Sequence, residues 1–308
     1  IIMAIQAVIT GIGGYVPEYI LTNDELSRMV DTNDEWITTR VGIKERHILK
    51  AENAGASYLG VRAVQDLFSK REIKPEEIEL LICTTSTPDH LFPSTASIIA
   101  GQTGITNAFC YDIEAACTGF LVAFDAAACY IQSGRYKKIL IVSAENMSAM
   151  VDYTDRATCP LFGDGAGCAL IEASTEDFGF IDSIIRNDAT GYKHLHMKAG
   201  GSVRPASLAT VENREHYVYQ EGTHVYKNAV WNMAEVSAEL MKRNGLTATN
   251  INWLIPHQAN LRIIDAVVSR TQVPYEKVCI NIQRYGNTSS ASIPLCLWEW
   301  EKHFRKGD

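Results

Sequence analysis

The stretch Tyr111-Asp112-Ile113-Glu114-Ala115-Ala116-Cys117-Thr118-Gly119-Phe120 decides how the chain is read. It predicts a buried strand that turns sharply, through small residues, into a helix. That helix runs from about Thr118 to Gln132. Its apolar side chains (Phe120, Leu121, Val122, Phe124, Ile131) spread nearly all round, so it is expected inside the molecule. Ser133-Gly134 supplies the stop. Cys117 then stands where the first turn begins, facing free backbone N–H groups and the positive end of a helix dipole. Such a place favours a thiolate and its anionic adducts. A cysteine taken at random is more often a small hydrophobe in a core helix. Cys117 needs partners elsewhere to be more than that.

Outside this stretch the chain is ordinary. Its 308 residues, 46% hydrophobic and 21% charged, are enough for two domains or one large one. A formal net charge of −8 argues against general nucleic-acid binding and leaves an acidic partner to a local basic patch. Cysteines 83, 110, 117, 129, 159, 168, 279 and 296 form no C-x-x-C pair and lie mostly in apolar runs. That usage fits reduced thiols in a cytoplasmic protein, with no disulfide framework and no metal site. The apolar opening Ile1 to Val8 is short and without a basic leader, so it reads as a strand over 4–10 and not as a signal peptide. It runs into a turn at Gly11-Ile12-Gly13-Gly14, which is no dinucleotide fingerprint because Val16 stands where the third glycine belongs. No apolar run approaches the roughly 20 residues of a membrane helix.

Thr22-Asn23-Asp24-Glu25 predicts a capped helix start, Ser57–Lys70 a helix, and Ile78–Thr84 a buried strand. Ile73-Lys74-Pro75-Glu76-Glu77-Ile78-Glu79-Leu80-Leu81-Ile82-Cys83-Thr84 then superposes without a gap on Leu246-Thr247-Ala248-Thr249-Asn250-Ile251-Asn252-Trp253-Leu254-Ile255-Pro256-His257, at an offset of 173 (246 − 73). Cys117 falls opposite Asn287 at 170 (287 − 117). Chance similarity of short amphipathic segments is the bland explanation, and two matches at nearly one offset weaken it. A duplicated α/β unit, with halves 1–172 and 173–308, explains both and would bring Cys117, His257 and Asn287 to one cleft. Between the halves, Gly163-Asp164-Gly165-Ala166-Gly167 lacks the Lys-Ser/Thr of a phosphate loop and reads as a tight turn. The polar stretch from Arg186 to Glu221 is expected to be a lid or binding loop, with His194 and His196 as exposed loop histidines.

A thiol, an imidazole and a carboxamide suit thioester chemistry: a nucleophile, and two donors that hold negative charge on a carbonyl oxygen without supplying a strong base. Papain-like proteases share the order Cys, His, Asn with a similar Cys–His separation. Their Cys lies near the mature N-terminus in a Cys-Gly-Ser-Cys-type context, which is not the setting of Cys117.

Four motifs, Glu114-Ala115-Ala116-Cys117-Thr118-Gly119-Phe120, Gly163-Asp164-Gly165-Ala166-Gly167, Pro256-His257-Gln258-Ala259-Asn260-Leu261-Arg262 and Gly286-Asn287-Thr288-Ser289-Ser290-Ala291, resemble β-ketoacyl-acyl-carrier-protein synthase III of the thiolase superfamily. The resemblance implies an α/β thiolase-like five-layer αβαβα fold from two duplicated halves, and a homodimer. It also implies ping-pong Claisen condensation of an acyl-CoA primer with malonyl-acyl-carrier protein. By it Cys117 is acylated, while His257 and Asn287 stabilise the enolate formed as malonyl loses CO2. Elongating synthases are similar but carry a second His in place of Asn, and biosynthetic thiolases a second Cys. Trp36, Arg40, Arg156 and Asn260 match the family's CoA site, where an indole and guanidinium can stack an adenine. Phe92 and Tyr226 match the acyl pocket, Phe92 as a cap from the neighbouring subunit that suggests acetyl as primer. Lys227, Arg262 and Arg270 match or lie near the carrier-protein patch. The family continues beyond the position of Asp308 with a strand, a glycine-rich loop and a final strand, so either that tail lies outside this sequence or the second sheet is short of two strands. Two other readings remain: a secondary-metabolite synthase using the same three residues on another acceptor, and a degenerate homologue that only binds acyl groups.

Overall fold

The computed structural model describes residues 5–308, so Ala4 of the predicted first strand lies outside it. In chain order the elements are β1 Gln6–Tyr15, β2 Tyr19–Thr22, α1 Asn23–Leu26, α2 Asp34–Val41, β3 Glu45–Ile48, α3 Ala56–Lys70, β4 Leu80–Thr84, α4 Thr95–Thr103, β5 Phe109–Ile113, α5 Gly119–Gln132, β6 Lys138–Glu145 and β7 Gly165–Ser174. There follow β8 Leu195–Met197, α6 Leu208–Glu212, β9 Val218–Gln220, α7 Gly222–Arg243, α8 Leu261–Thr271, α9 Ile282–Tyr285 and α10 Ser292–Trp300.

Five strands form a mixed sheet in the order β1-β7-β6-β4-β5, with β6, β4 and β5 parallel and β7 antiparallel to both of its neighbours. Strand alternation sorts its side chains between two apolar clusters. Leu81, Cys83, Leu140, Val142, Cys168 and Leu170 face α3 and α4. Leu80, Ile82, Ile139, Ile141, Ala169 and Ile171 face α5 and α10. The next layer is the pairing of Leu254 with Val278, a single parallel bridge. Ile255 points back to the α5/α10 cluster, while Leu254 packs with Ile264 and Leu261 of α8. With α7 lying on α8, helices cover both faces of the sheet, and the bridged segments lie between the α5/α10 layer and α8.

Four expectations change. The glycines after the first strand are no turn, because β1 continues through them to Tyr15. A Cβ on Gly13 would sit 2.2 Å from the carbonyl of Ala63, and one on Gly14 2.3 Å from Trp298, so these residues let α3 and α10 close on the strand. The strand before Cys117 is the edge of the sheet and only half-buried, with Phe109 63% exposed. The helix after it buries Phe120, Ala123, Ala127 and Ile131 and leaves Leu121 and Cys129 exposed. Apolar composition alone cannot tell a central element from one at a boundary. The predicted lid is ordered structure, in which β8 and β9 pair and α6 carries a Ser207 capping box. His194 there pairs with Glu221 at 2.8 Å and stacks on His224.

Candidate active site

Cys117 occupies a single 3-10 turn, Ala116–Thr118, between β5 and α5. Ala116 takes a left-handed φ of 45° there, a conformation that costs about 1–2 kcal/mol for a residue with a Cβ. The carboxylate of Asp112 holds the start of α4 by accepting from the Thr95 and Ala96 N–H groups, fixing the strand that leads into the turn. The Cys117 thiol donates to Ser289 Oγ at 3.8 Å. Burial pushes the thiol up to about 11, Ser289 draws it back, and the nearby Glu145 carboxylate adds to the rise. The resting sulfur is therefore a thiol at neutral pH, against the expectation of a thiolate. Desolvation outweighs the helix dipole, which is worth about half a charge at the helix end.

Asn287 is held from both sides. Its N–H donates to Leu161 and its carbonyl accepts from Gly163, so the glycine motif at 163 serves as the strap for this loop. A Cβ on Gly163 would meet the Tyr285 carbonyl at 2.2 Å, so the motif needs glycine for close approach and not for a special φ. The side-chain oxygen of Asn287 accepts from the Ser289 N–H at 2.8 Å, which leaves the amide nitrogen as the free donor. His257 follows the Leu254 bridge, and its Nδ1 lies 2.6 Å from Ser292 Oγ. Desolvation lowers its pKa to about 4, so the ring is neutral at physiological pH. The segment Asn287–Ser292 thus touches both other residues, Cys117 through Ser289 and His257 through Ser292.

Glu145 and Ser292 have no part in the sequence reading, and Ser289 and Ser290 enter it only inside the Asn287 motif. Glu145 is fully buried at the end of β6. It accepts from Ser86 N–H, Ser290 N–H and the hydroxyls of Thr85, Thr87 and Ser290. Burial raises its pKa, and the donors of Ser290, Ser86 and Ser289 pull it back. Ser290 had a signal: kept at the offset of 173, the repeat places it opposite Cys117.

Trp36 is half-buried, with the Arg40 guanidinium 4.9 Å and that of Arg156 4.6 Å from its ring centre. Arg156 also meets Asp31 at 3.6 Å. Asn260 caps α8 by accepting from Arg262 N–H, and Leu261 beside it shares an apolar cluster with Trp36. Tyr226 is half-buried under the Arg262 guanidinium at 5.4 Å, and Lys227 is exposed beside it. Arg270 stands apart from these two, since its guanidinium grips Glu235 at 2.6 and 3.2 Å. Phe92 is 86% exposed and Leu91 87%, far outside the packed interior of this one chain. An open surface cleft of about 480 Å³ between β1, α3 and α10 touches none of these residues. Among the described residues no group of three His, Cys, Asp or Glu could hold a metal ion, and no helix is long and apolar enough to cross a membrane.

Family models for 3-oxoacyl-[acyl-carrier-protein] synthase III match residues 111–189, and for its C-terminal part residues 241–308. The chain is 59% identical over 304 residues to β-ketoacyl-[acyl-carrier-protein] synthase III of Phocaeicola vulgatus, covering 99% of this chain and 91% of the relative. The chain belongs to the β-ketoacyl-acyl-carrier-protein synthase III family. Members are acyltransferases of the condensing-enzyme kind, in fatty acid biosynthesis, and this protein is one of them. The synthase III of Chlorobium phaeovibrioides is 48% identical over 299 residues, covering 96% of this chain and 91% of the relative. The solved synthase III of Aquifex aeolicus superposes with a TM-score of 0.89 at 39% identity, covering 98% of this chain and 93% of that one. That of Thermus thermophilus gives 0.89 at 40%, covering 98% and 92%. The thiolase-like fold follows from these neighbours.

Proposed function

We propose that this synthase III acylates Cys117 with a short primer, acetyl from acetyl-CoA, and condenses it with malonyl-acyl-carrier protein to initiate type II fatty acid synthesis in the cytoplasm. The thiol adds to the thioester carbonyl, and CoA departs carrying the thiol's proton. Malonyl then loses CO2, and its enolate carbon attacks the acyl group, expelling the Cys117 sulfur as a thiolate that takes a proton from water to restore the thiol. His257 and Asn287 donate to the enolate oxygen. The observation that carries the reading is the neutral imidazole tied, with the amide of Asn287, to the segment that touches the thiol. A ring with a pKa near 4 is a poor general base at pH 7 and a good donor.

CoA would lie on Trp36 between Arg40 and Arg156, beside Asn260. Lys227 and Arg262 would attract the carrier protein, with Arg270 weakened by its pairing to Glu235. Residues 1–172 and 173–308 are, on this reading, copies of one unit. A homodimer would cover the exposed β5 edge together with Leu91 and Phe92, and Phe92 would cap the partner's pocket, with Tyr226 as a further pocket residue. The chemistry needs no metal. Intact-protein mass spectrometry with a panel of acyl-CoAs tests the proposal: one acetyl group on Cys117 is expected, formed faster than the adduct from isobutyryl- or octanoyl-CoA. Faster acylation by either longer primer overturns the assignment of acetyl, and acylation elsewhere overturns that of Cys117.

A further inference from the structure

Ser292 opens α10 and is 1% exposed. Its oxygen accepts from the Gln258 N–H at 3.3 Å and lies 2.6 Å from His257 Nδ1. A hydroxyl has one proton to give, and no other acceptor for it occurs among the described residues. Gln258 is itself rigid. Its side-chain nitrogen donates to the Pro256 and Cys279 carbonyls, and its oxygen accepts from the Asn281 and Ile282 N–H groups. Thus the N–H that feeds Ser292 is fixed, and the serine proton is directed at the imidazole.

We infer that Ser292 is a positioning residue that holds His257 in the tautomer with its proton on Nε2. With Nδ1 occupied as an acceptor, the neutral ring's remaining proton must sit on Nε2, the nitrogen available to a developing oxyanion. The opposite tautomer would turn a lone pair toward that charge. The inference rests on the reading of His257 as an enolate donor, and extends it by naming what keeps the donor's proton in place. Residue 119, which opens α5 as Ser292 opens α10, is glycine: a Cβ there would lie 2.9 Å from Thr84. The serine thus occurs at the helix start that faces a histidine.

Nitrogen-15 NMR of histidine-labelled protein at pH 7, with the His257 signals assigned by their loss in His257→Gln, tests this directly. The wild type should show an unprotonated Nδ1 and a protonated Nε2. A protonated Nδ1 overturns the inference without any Ser292 variant having to fold. Ser292→Ala should leave a mixture of tautomers and slow CO2 release from malonyl-carrier protein on the order of ten- to a hundredfold, as losing an imidazole's second partner does elsewhere. Acetylation of Cys117 should be spared, and Ser292→Thr, which keeps the hydroxyl, should restore both tautomer and rate. An unchanged tautomer in Ser292→Ala, or a rate that Thr does not restore, refutes the role. Undiminished CO2 release by His257→Ala would instead refute the donor reading itself, with the wild-type tautomer still readable.

Discussion

The turn that carries Cys117 and the turn that carries Ser290 have nearly one backbone and opposite fates. Each is a single 3-10 turn, Ala116–Thr118 and Ser289–Ala291, whose first residue has a left-handed φ (45° and 49°) and whose last hands over to a helix. They lie 173 residues apart (289 − 116), so the counterpart of Cys117 is Ser290 and not Asn287 as the sequence suggested. Cys117 is half-buried and makes one weak contact, with Ser289. Ser290 is 1% exposed, with its N–H and hydroxyl both on Glu145 and its hydroxyl also 3.1 Å from the Thr84 carbonyl. The same strained turn thus presents a half-buried thiol in one place and is sealed by a buried carboxylate in the other. A sealed turn can serve as a rigid frame, from which Ser289 reaches Cys117 and Ser292 reaches His257.

If the first turn alone carries the nucleophile, Cys117→Ala should abolish acyl-enzyme formation and everything after it, as read by intact mass after incubation with acetyl-CoA. The donors on and beside the second turn should act later. His257→Ala and Asn287→Ala should each cost on the order of a hundred- to a thousandfold in CO2 release, the usual loss for one oxyanion donor. Both should still trap acetyl on Cys117. Failure of His257→Ala to be acylated would make His257 the base that activates the thiol, and the two turns would then share one step.

The sealed turn can be probed by itself. Ser290→Ala removes the hydroxyl that donates to the buried Glu145 carboxylate and should lower unfolding stability by about 1.5–3 kcal/mol in a urea titration. Ser290→Cys should gain no second acyl group. A doubly acylated Ser290→Cys protein would show that the seal is open and the comparison misdrawn.

Two pH profiles give the smallest effects. With the thiol pushed up to about 11, alkylation of Cys117 by iodoacetamide should still be climbing at pH 9, whereas a thiolate stabilised by the helix would already have levelled off. His257 has a folded pKa of about 4 against an ordinary 6.5, so the unfolded chain takes up its proton first. Its contribution to stability is therefore whole above pH 6.5 and is lost as pH falls from there toward 4. The acid-side decline in urea midpoint should be shallower in His257→Gln. Equal slopes would mean that the ring is solvated in the folded protein.

Sequence by itself determined many of the elements and the family. Local signals suffice for these: Thr22 caps α1 as its motif requires, α3 and β4 fall within two residues of their predicted bounds, and four motifs name the family. Cys117, His257 and Asn287 could be proposed from sequence because thioester chemistry restricts which residue types can serve, and the fold links them through the segment Asn287–Ser292. Tertiary structure decided what depends on neighbours distant in the chain. That β5 is an edge, that the glycines of β1 admit two helices, and that Arg270 answers to Glu235 are all facts of packing between remote segments. The state of the thiol is the clearest case. A helix start read locally favours a thiolate, but burial under the surrounding layers and the nearby Glu145 carboxylate outweigh it, with Ser289 pulling the other way, and only the folded chain brings these together.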